Sequence, residues 1–148
     1  AESYLVRRVH LGVPTEISPG EELEVEVSIV PAAPGTVPNS PEGTPEYVGK
    51  PVEVLIELVA DGAVVPEARL SAIPVELSAE GERLTRVFTV AADAELGAGV
   101  DISVHFFVGG YEVGRARAFV VNREADGGEA RPGTPGSIVV PDTILGYQ

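Results

Sequence analysis

Cysteine, methionine and tryptophan are absent from this 148-residue chain, and lysine occurs once, at Lys50. Without cysteine there is no disulfide, no thiolate metal site and no cysteine nucleophile, although the compartment stays open. Without methionine the chain either starts at Ala1 after processing or is a domain cut from a larger protein, and the second reading is preferred. Positive charge is scarce: 10 Lys and Arg against 23 Asp and Glu leave a formal charge of -13. That is the wrong sign for gripping a phosphate backbone, so no nucleic-acid partner is expected. No apolar run approaches the roughly 20 residues that span a bilayer, and no charged-apolar-small leader opens the chain. A soluble protein with no membrane insertion is expected. Helical stripes are missing too, and 17 glycines with 13 prolines disfavour long helices.

What is present is a 44% hydrophobic content, enough for a real core, arranged with period two. In residues 21–30, Leu23, Val25, Val27 and Ile29 alternate with Glu22, Glu24, Glu26 and Ser28, as on a strand with one wet and one dry face. Residues 51–60 repeat this, with Val52, Val54, Ile56 and Leu58 opposite Glu53, Leu55, Glu57 and Val59. Asp61-Gly62 then predicts a two-residue hairpin with a short returning strand over 63–65. Further strands are expected at 4–11, 69–73, 75–77, 84–90, 100–108 and 112–121, with at most one helical turn in 91–97. Seven or eight short strands separated by Pro and Gly predict an all-β, antiparallel, immunoglobulin-like sandwich over residues 1–122. Within it, residues 31–49 carry Pro31, Pro34, Pro38, Pro41 and Pro45 and read as a long loop. Residues 123–148 read as a Gly/Pro-rich tail or linker with a short apolar segment, Ile138-Val139-Val140. That segment either adds a strand to an exposed sheet edge, in cis or in a neighbour, or begins whatever follows.

The last two strands, joined by Gly109-Gly110, select a surface. A simple two-residue turn would set Val104 and Ile102 opposite Arg115 and Arg117 and bury both arginines, at several kcal/mol each. The register must therefore shift by one, through an odd loop or a bulge. Phe106 then faces Gly114, Val104 faces Ala116, Ile102 faces Ala118 and Val100 faces Val120 on the dry side. On the wet side Phe107 meets Val113, His105 meets Arg115, Ser103 meets Arg117, and Asp101 meets Phe119. If residues 51–60 pair with 100–108, Leu55 and Val59 extend the same surface. The candidate interaction residues are Phe107, Arg115, Arg117, Phe119, His105, Leu55 and Val59. Two readings stay open: a protein-contact patch, or a solvated face on which Arg and Glu pair across strands.

Catalysis finds little support. Asp101, Ser103 and His105 are triad ingredients, but i, i+2 and i+4 on one strand face are spaced by about 6.5–7 Å, too far for a relay. His10 has no metal-spaced partner and reads as structural. The stripe Glu22, Glu24, Glu26 lacks the Asp/Asn loop pattern of a calcium site and reads as a solvated edge that resists aggregation. A weak cation near Asp93, Glu95 and Asp101 has little support. No catalytic, cofactor or metal residue is assigned and no enzyme is expected.

With the strands laid out, "PVEVLIELVADGAVV" (51–65) and "RLTRVFTVAADAELGAGVDISVHFFVGGYEVGRARAFVV" (83–121) resemble the immunoglobulin-like β-sandwich modules of multidomain bacterial signalling and conflict proteins, over roughly residues 23–121. No Cys pair, core Trp or tyrosine corner is present, so antibody-type and fibronectin-type domains are not implied. The resemblance implies a non-catalytic adaptor or scaffold whose partner is another protein or another domain of the parent chain. Alternatives are a structural subunit of a cell-surface or virion assembly, held as a homo-oligomer through the tail, and a carbohydrate- or cation-binding module.

Overall fold

A computed structural model describes residues 4–32, 49–79 and 81–145, so most of the expected 31–49 loop lies outside the described residues. Ten strands follow in chain order: β1 (Tyr4–Gly12), β2 (Glu16–Ile17), β3 (Glu22–Pro31), β4 (Val52–Asp61), β5 (Ala63–Val64), β6 (Ala72–Leu77), β7 (Leu84–Ala92), β8 (Gly99–Val108), β9 (Tyr111–Asn122) and β10 (Thr134–Pro141). One helical turn, α1 (Asp142–Leu145), ends the described chain. The protein is all-β, as the period-two pattern requires. The strands lie on one continuous path, β5-β7-β3-β1-β10-β9-β8-β4-β6, with β2 attached to β9. Every ladder is antiparallel except the short β2–β9 pair. The sheet curls into a half-barrel around a single apolar core.

Alternation does the sorting. Leu23, Val25, Val27 and Ile29 of β3 point inward while Glu22, Glu24 and Glu26 stay exposed. This Glu stripe is not on an edge, because β3 runs between β7 and β1. In β8 the buried set is Val100, Ile102, Val104, Phe106 and Val108. Opposite it β9 supplies Val120, Ala118, Ala116 and Gly114, so large side chains of one strand lie over small ones of the next. Gly114 has a further reason to lack a side chain: a Cβ there would come 2.3 Å from the Ser137 carbonyl oxygen of β10.

Four expectations need correction. First, Gly109 and Gly110 both have positive φ (56 and 85) and do form a two-residue turn, pairing Val108 with Tyr111 and Phe107 with Glu112. The register shift comes immediately afterwards as a bulge at Val113, so Phe107 meets Glu112, not Val113. From Phe106–Gly114 onward the pairing is the expected one. Second, Asp61-Gly62 is a crossover and not a hairpin: β5 pairs with Ala91 and Ala92 of β7. β8 takes one edge of β4 over Leu55–Asp61 and β6 takes the other over Val52–Glu57, while the residues after Gly62 go to β7 instead. β6 itself fuses the end of one expected strand with the next across Pro74, on the outer edge, where its missing N–H costs no ladder bond.

Third, residues 91–97 contain no helical turn; Ala91 and Ala92 finish β7 and a loop follows. Asn122 holds that loop. Its Nδ2 donates to the Leu96 and Gly97 carbonyls at 3.0 and 2.9 Å, while its Oδ1 accepts from Glu124 N at 3.0 Å. Fourth, of the alternatives for the apolar segment the strand added in cis is the one realised, but not at an exposed edge: residues 134–141 form β10, paired to β1 on one side and β9 on the other, with Ile138 and Val140 fully buried. Pro135 and Gly136 fall in an irregularity of the β10–β9 ladder. A Cβ on Gly136 would meet the Arg115 carbonyl oxygen at 2.1 Å. Arg7 is an unforeseen inward residue: it is 7% exposed, with Nη1 donating to the Val6 carbonyl and Nη2 to the Ser78 carbonyl.

Candidate functional site

Because β4, β8 and β9 are neighbours, their outward side chains form a grid. Across the strands the rows read Leu55–Phe107–Glu112, Glu57–His105–Arg115, Val59–Ser103–Arg117 and Asp61–Asp101–Phe119. All seven candidate residues therefore lie on one outer face. Leu55 (38% exposed) and Val59 (50%) are open to solvent, and the Arg115 and Arg117 side chains point into water. His105, Phe107 and Phe119 are half-buried against their neighbours.

Carboxylates hold the basic side chains of β8 and β9 on this face. His105 Nδ1 and Glu112 Oε1 are 2.8 Å apart. Arg115 grips the same carboxylate with both arms of its fork, Nε to Oε1 at 3.1 Å and Nη2 to Oε2 at 3.2 Å. The His105 hydrogen bond, opposed by desolvation and aided by the Arg115 hydrogen bond and charge, keeps the Glu112 carboxyl below its ordinary pKa. An ionised carboxylate only accepts, so His105 carries its proton on Nδ1 in this contact. Arg117 Nη2 donates to Asp101 Oδ2 at 3.0 Å. Around these pairs the aromatics are ordered: His105 and Phe107 stack with centroids 6.4 Å apart. The Phe119 ring reaches across to Gly99, where an added Cβ would come within 2.6 Å of it. The Arg131 Cζ lies 4.2 Å from the Phe119 ring centroid.

Asp101, Ser103 and His105 are not assembled as a relay: Asp101 is taken by Arg117 and His105 by Glu112. Among the described residues no group of three or more His, Cys, Asp or Glu could hold a metal ion, and no helix is long and apolar enough to cross a membrane. Sequence reasoning missed Glu112 and Arg131. Glu112 hid because the bulge follows it and not the turn; Arg131 hid because it lies in the segment read as linker. Comparison with known proteins finds no family model that matches the chain and no curated protein similar to it.

Proposed function

We propose that the chain is an immunoglobulin-like sandwich module, non-catalytic, that engages another protein or another domain of its parent through the β4–β8–β9 face. Support for the fold assignment comes from pairing order. With β10 set aside, β1·β3·β7 neighbour one another as A-B-E do in such domains and β4·β8·β9 as C-F-G do, while β5 and β6 come in the opposite chain order to D and C′. One observation carries the functional reading. Exposed Leu55 and Val59 share a face with two aromatic rings and two arginines whose side chains are already oriented by carboxylates. Aromatic and Arg residues on a rigid sheet suit a contact surface, and groups ordered before contact lose less entropy on binding. An assembly joined through the tail is the weaker reading, because residues 134–141 already have both edges paired within the chain.

Photocrosslinking from the parent protein tests this. A photoreactive phenylalanine analogue replaces Phe107 in one variant and Val87, exposed on the opposite outer face, in another. Discrete adducts from Phe107 and none from Val87 are expected. Equal yields at both sites, or none at either, would sink the reading.

A further inference from the structure

At the Phe119 end of the face lies a half-open cleft of about 300 Å³, bounded by the end of β1, the loop to β2, β9 and the segment leading into β10. Its lining includes Arg117, Arg131, His10, Thr15 and Thr134, and no acidic residue. In a chain with 23 acidic and 10 basic side chains that is an inverted composition. The other arginines of this face are held by carboxylates, Arg115 by Glu112 and Arg117 by Asp101. Arg131 instead rests on the Phe119 ring, and among the described residues no carboxylate pairs with it. Stacking occupies the flat face of a guanidinium and leaves its N–H edge available. Arg117 spends one nitrogen on Asp101 and keeps further donors.

Strand pairing also lapses here. β10 pairs with β9 as far as Arg117, and β2 takes over only at Val121, so Ala118, Phe119 and Val120 pair with β8 alone. Val121 N donates to the Thr15 carbonyl on this side, and the period of two brings the peptide groups of Phe119 to the same edge. Such an edge accepts an extended chain.

We infer that this cleft receives an extended acidic segment of the partner protein, with its backbone beside Phe119 and an Asp or Glu carboxylate held by Arg117 and Arg131. The inference rests on the reading of the face as a contact surface, since Arg117 and Phe119 belong to both. Fluorescence anisotropy tests it on the full chain with a fluorescein-labelled peptide of alternating Val and Glu, and with its Gln counterpart. The Glu peptide binds, more weakly as salt is added, and the Gln peptide binds roughly tenfold less tightly. Arg131→Gln and Arg117→Gln each weaken the Glu peptide about tenfold without moving the thermal midpoint, while Val87→Ala changes nothing. Equal affinity for the two peptides, undiminished binding by Arg131→Gln, no binding of the Glu peptide, or its displacement by free glutarate at equal concentration overturns the inference. Photocrosslinking at Phe107 is an independent readout. Adducts there without peptide binding remove the cleft alone, and peptide binding without adducts removes the wider face.

Discussion

Two single-residue deletions three positions apart on β9 are expected to have opposite consequences. Val113 is the extra residue of the bulge: Phe107 pairs with Glu112 and Phe106 with Gly114, so deleting Val113 leaves every other pair in place. The cost is the burial of one valine, 8% exposed in the structure, worth about 2 kcal/mol and offset by about 1 kcal/mol if the regularised ladder regains a hydrogen bond. Deleting Ala116 has no such escape. If the bulge is kept, Arg117 turns inward opposite Val104; if the bulge is ironed out, Arg115 does so instead. Either way a guanidinium enters the core at a cost of several kcal/mol, against a typical total stability of about 5–15 kcal/mol. Urea unfolding followed by far-ultraviolet circular dichroism reads both. The Val113 deletion should unfold cooperatively with a midpoint close to the parent's, and the Ala116 deletion should be largely unfolded before urea is added. Equal damage from the two deletions, or a tolerated Ala116 deletion, would refute the register and with it the outward placement of both arginines.

Ile138→Ala should cost about 3–4 kcal/mol in the same assay, the lost transfer energy plus the cavity left behind, because Ile138 is fully buried; a cost below about 1 kcal/mol would mean that residues 134–141 do not belong to the sheet. Arg115→Ala combined with Arg117→Ala should move stability by no more than about 0.5 kcal/mol, both side chains being more than half exposed; a large loss would place them inside. Asn122→Ala should cost roughly 1–3 kcal/mol, by orphaning the Leu96 and Gly97 carbonyls, and should open the 93–98 loop to proteolysis; unchanged cleavage there counts against the clamp. Glu112 has a folded-state pKa below its ordinary 4.5, so it stabilises the fold above that value, and the contribution is lost as pH falls through the folded value. Glu112→Gln should therefore flatten the dependence of the thermal midpoint on pH in that acidic window, most clearly at low salt. An identical pH profile would show that the His105–Glu112–Arg115 contacts add nothing in solution.

The legible part of the fold was whatever one strand encodes by itself. β3 and β8 announce their dry faces because the alternation over 22–27 and 100–106 needs no knowledge of their neighbours, although Ser28 of β3, expected on the wet face, is buried. Pairing is a property of two strands, and there the residues underdetermine the result. Asp61-Gly62 has hairpin chemistry, and Gly62 does adopt a positive φ of 90, but a turn motif cannot report that β7 offers Ala91 and Ala92 to the residues that follow it. β10 fails for a related reason. Its two buried residues, Ile138 and Val140, are too few for a periodic signal, and its place in the sheet depends on backbone offered by β1 and β9, which no local pattern records.

On the face itself, electrostatic cost succeeded where propensity was silent. Rejecting buried arginines fixed the parity of β9 and so set Arg115, Arg117 and Phe119 beside His105 and Phe107, while the β4–β8 pairing adds Leu55 and Val59. The same reasoning could not locate the compensating irregularity, since a longer loop and a bulge restore parity equally well. The difference matters locally. A longer loop would have set Val113 beside Phe107 and widened the apolar patch, whereas the bulge tucks Val113 inward and presents Glu112. One inserted residue thus converts that corner from apolar to anionic and supplies the carboxylate that binds His105 and Arg115. Arg115 is neutralised by Glu112 at this end; at the Phe119 end Arg117 is held by Asp101, while Arg131 rests on the ring with no carboxylate partner among the described residues, so the positive charge left to offer lies at Arg131. A partner matched to this face would bring apolar side chains toward Leu55 and Phe107 and negative charge toward Arg131.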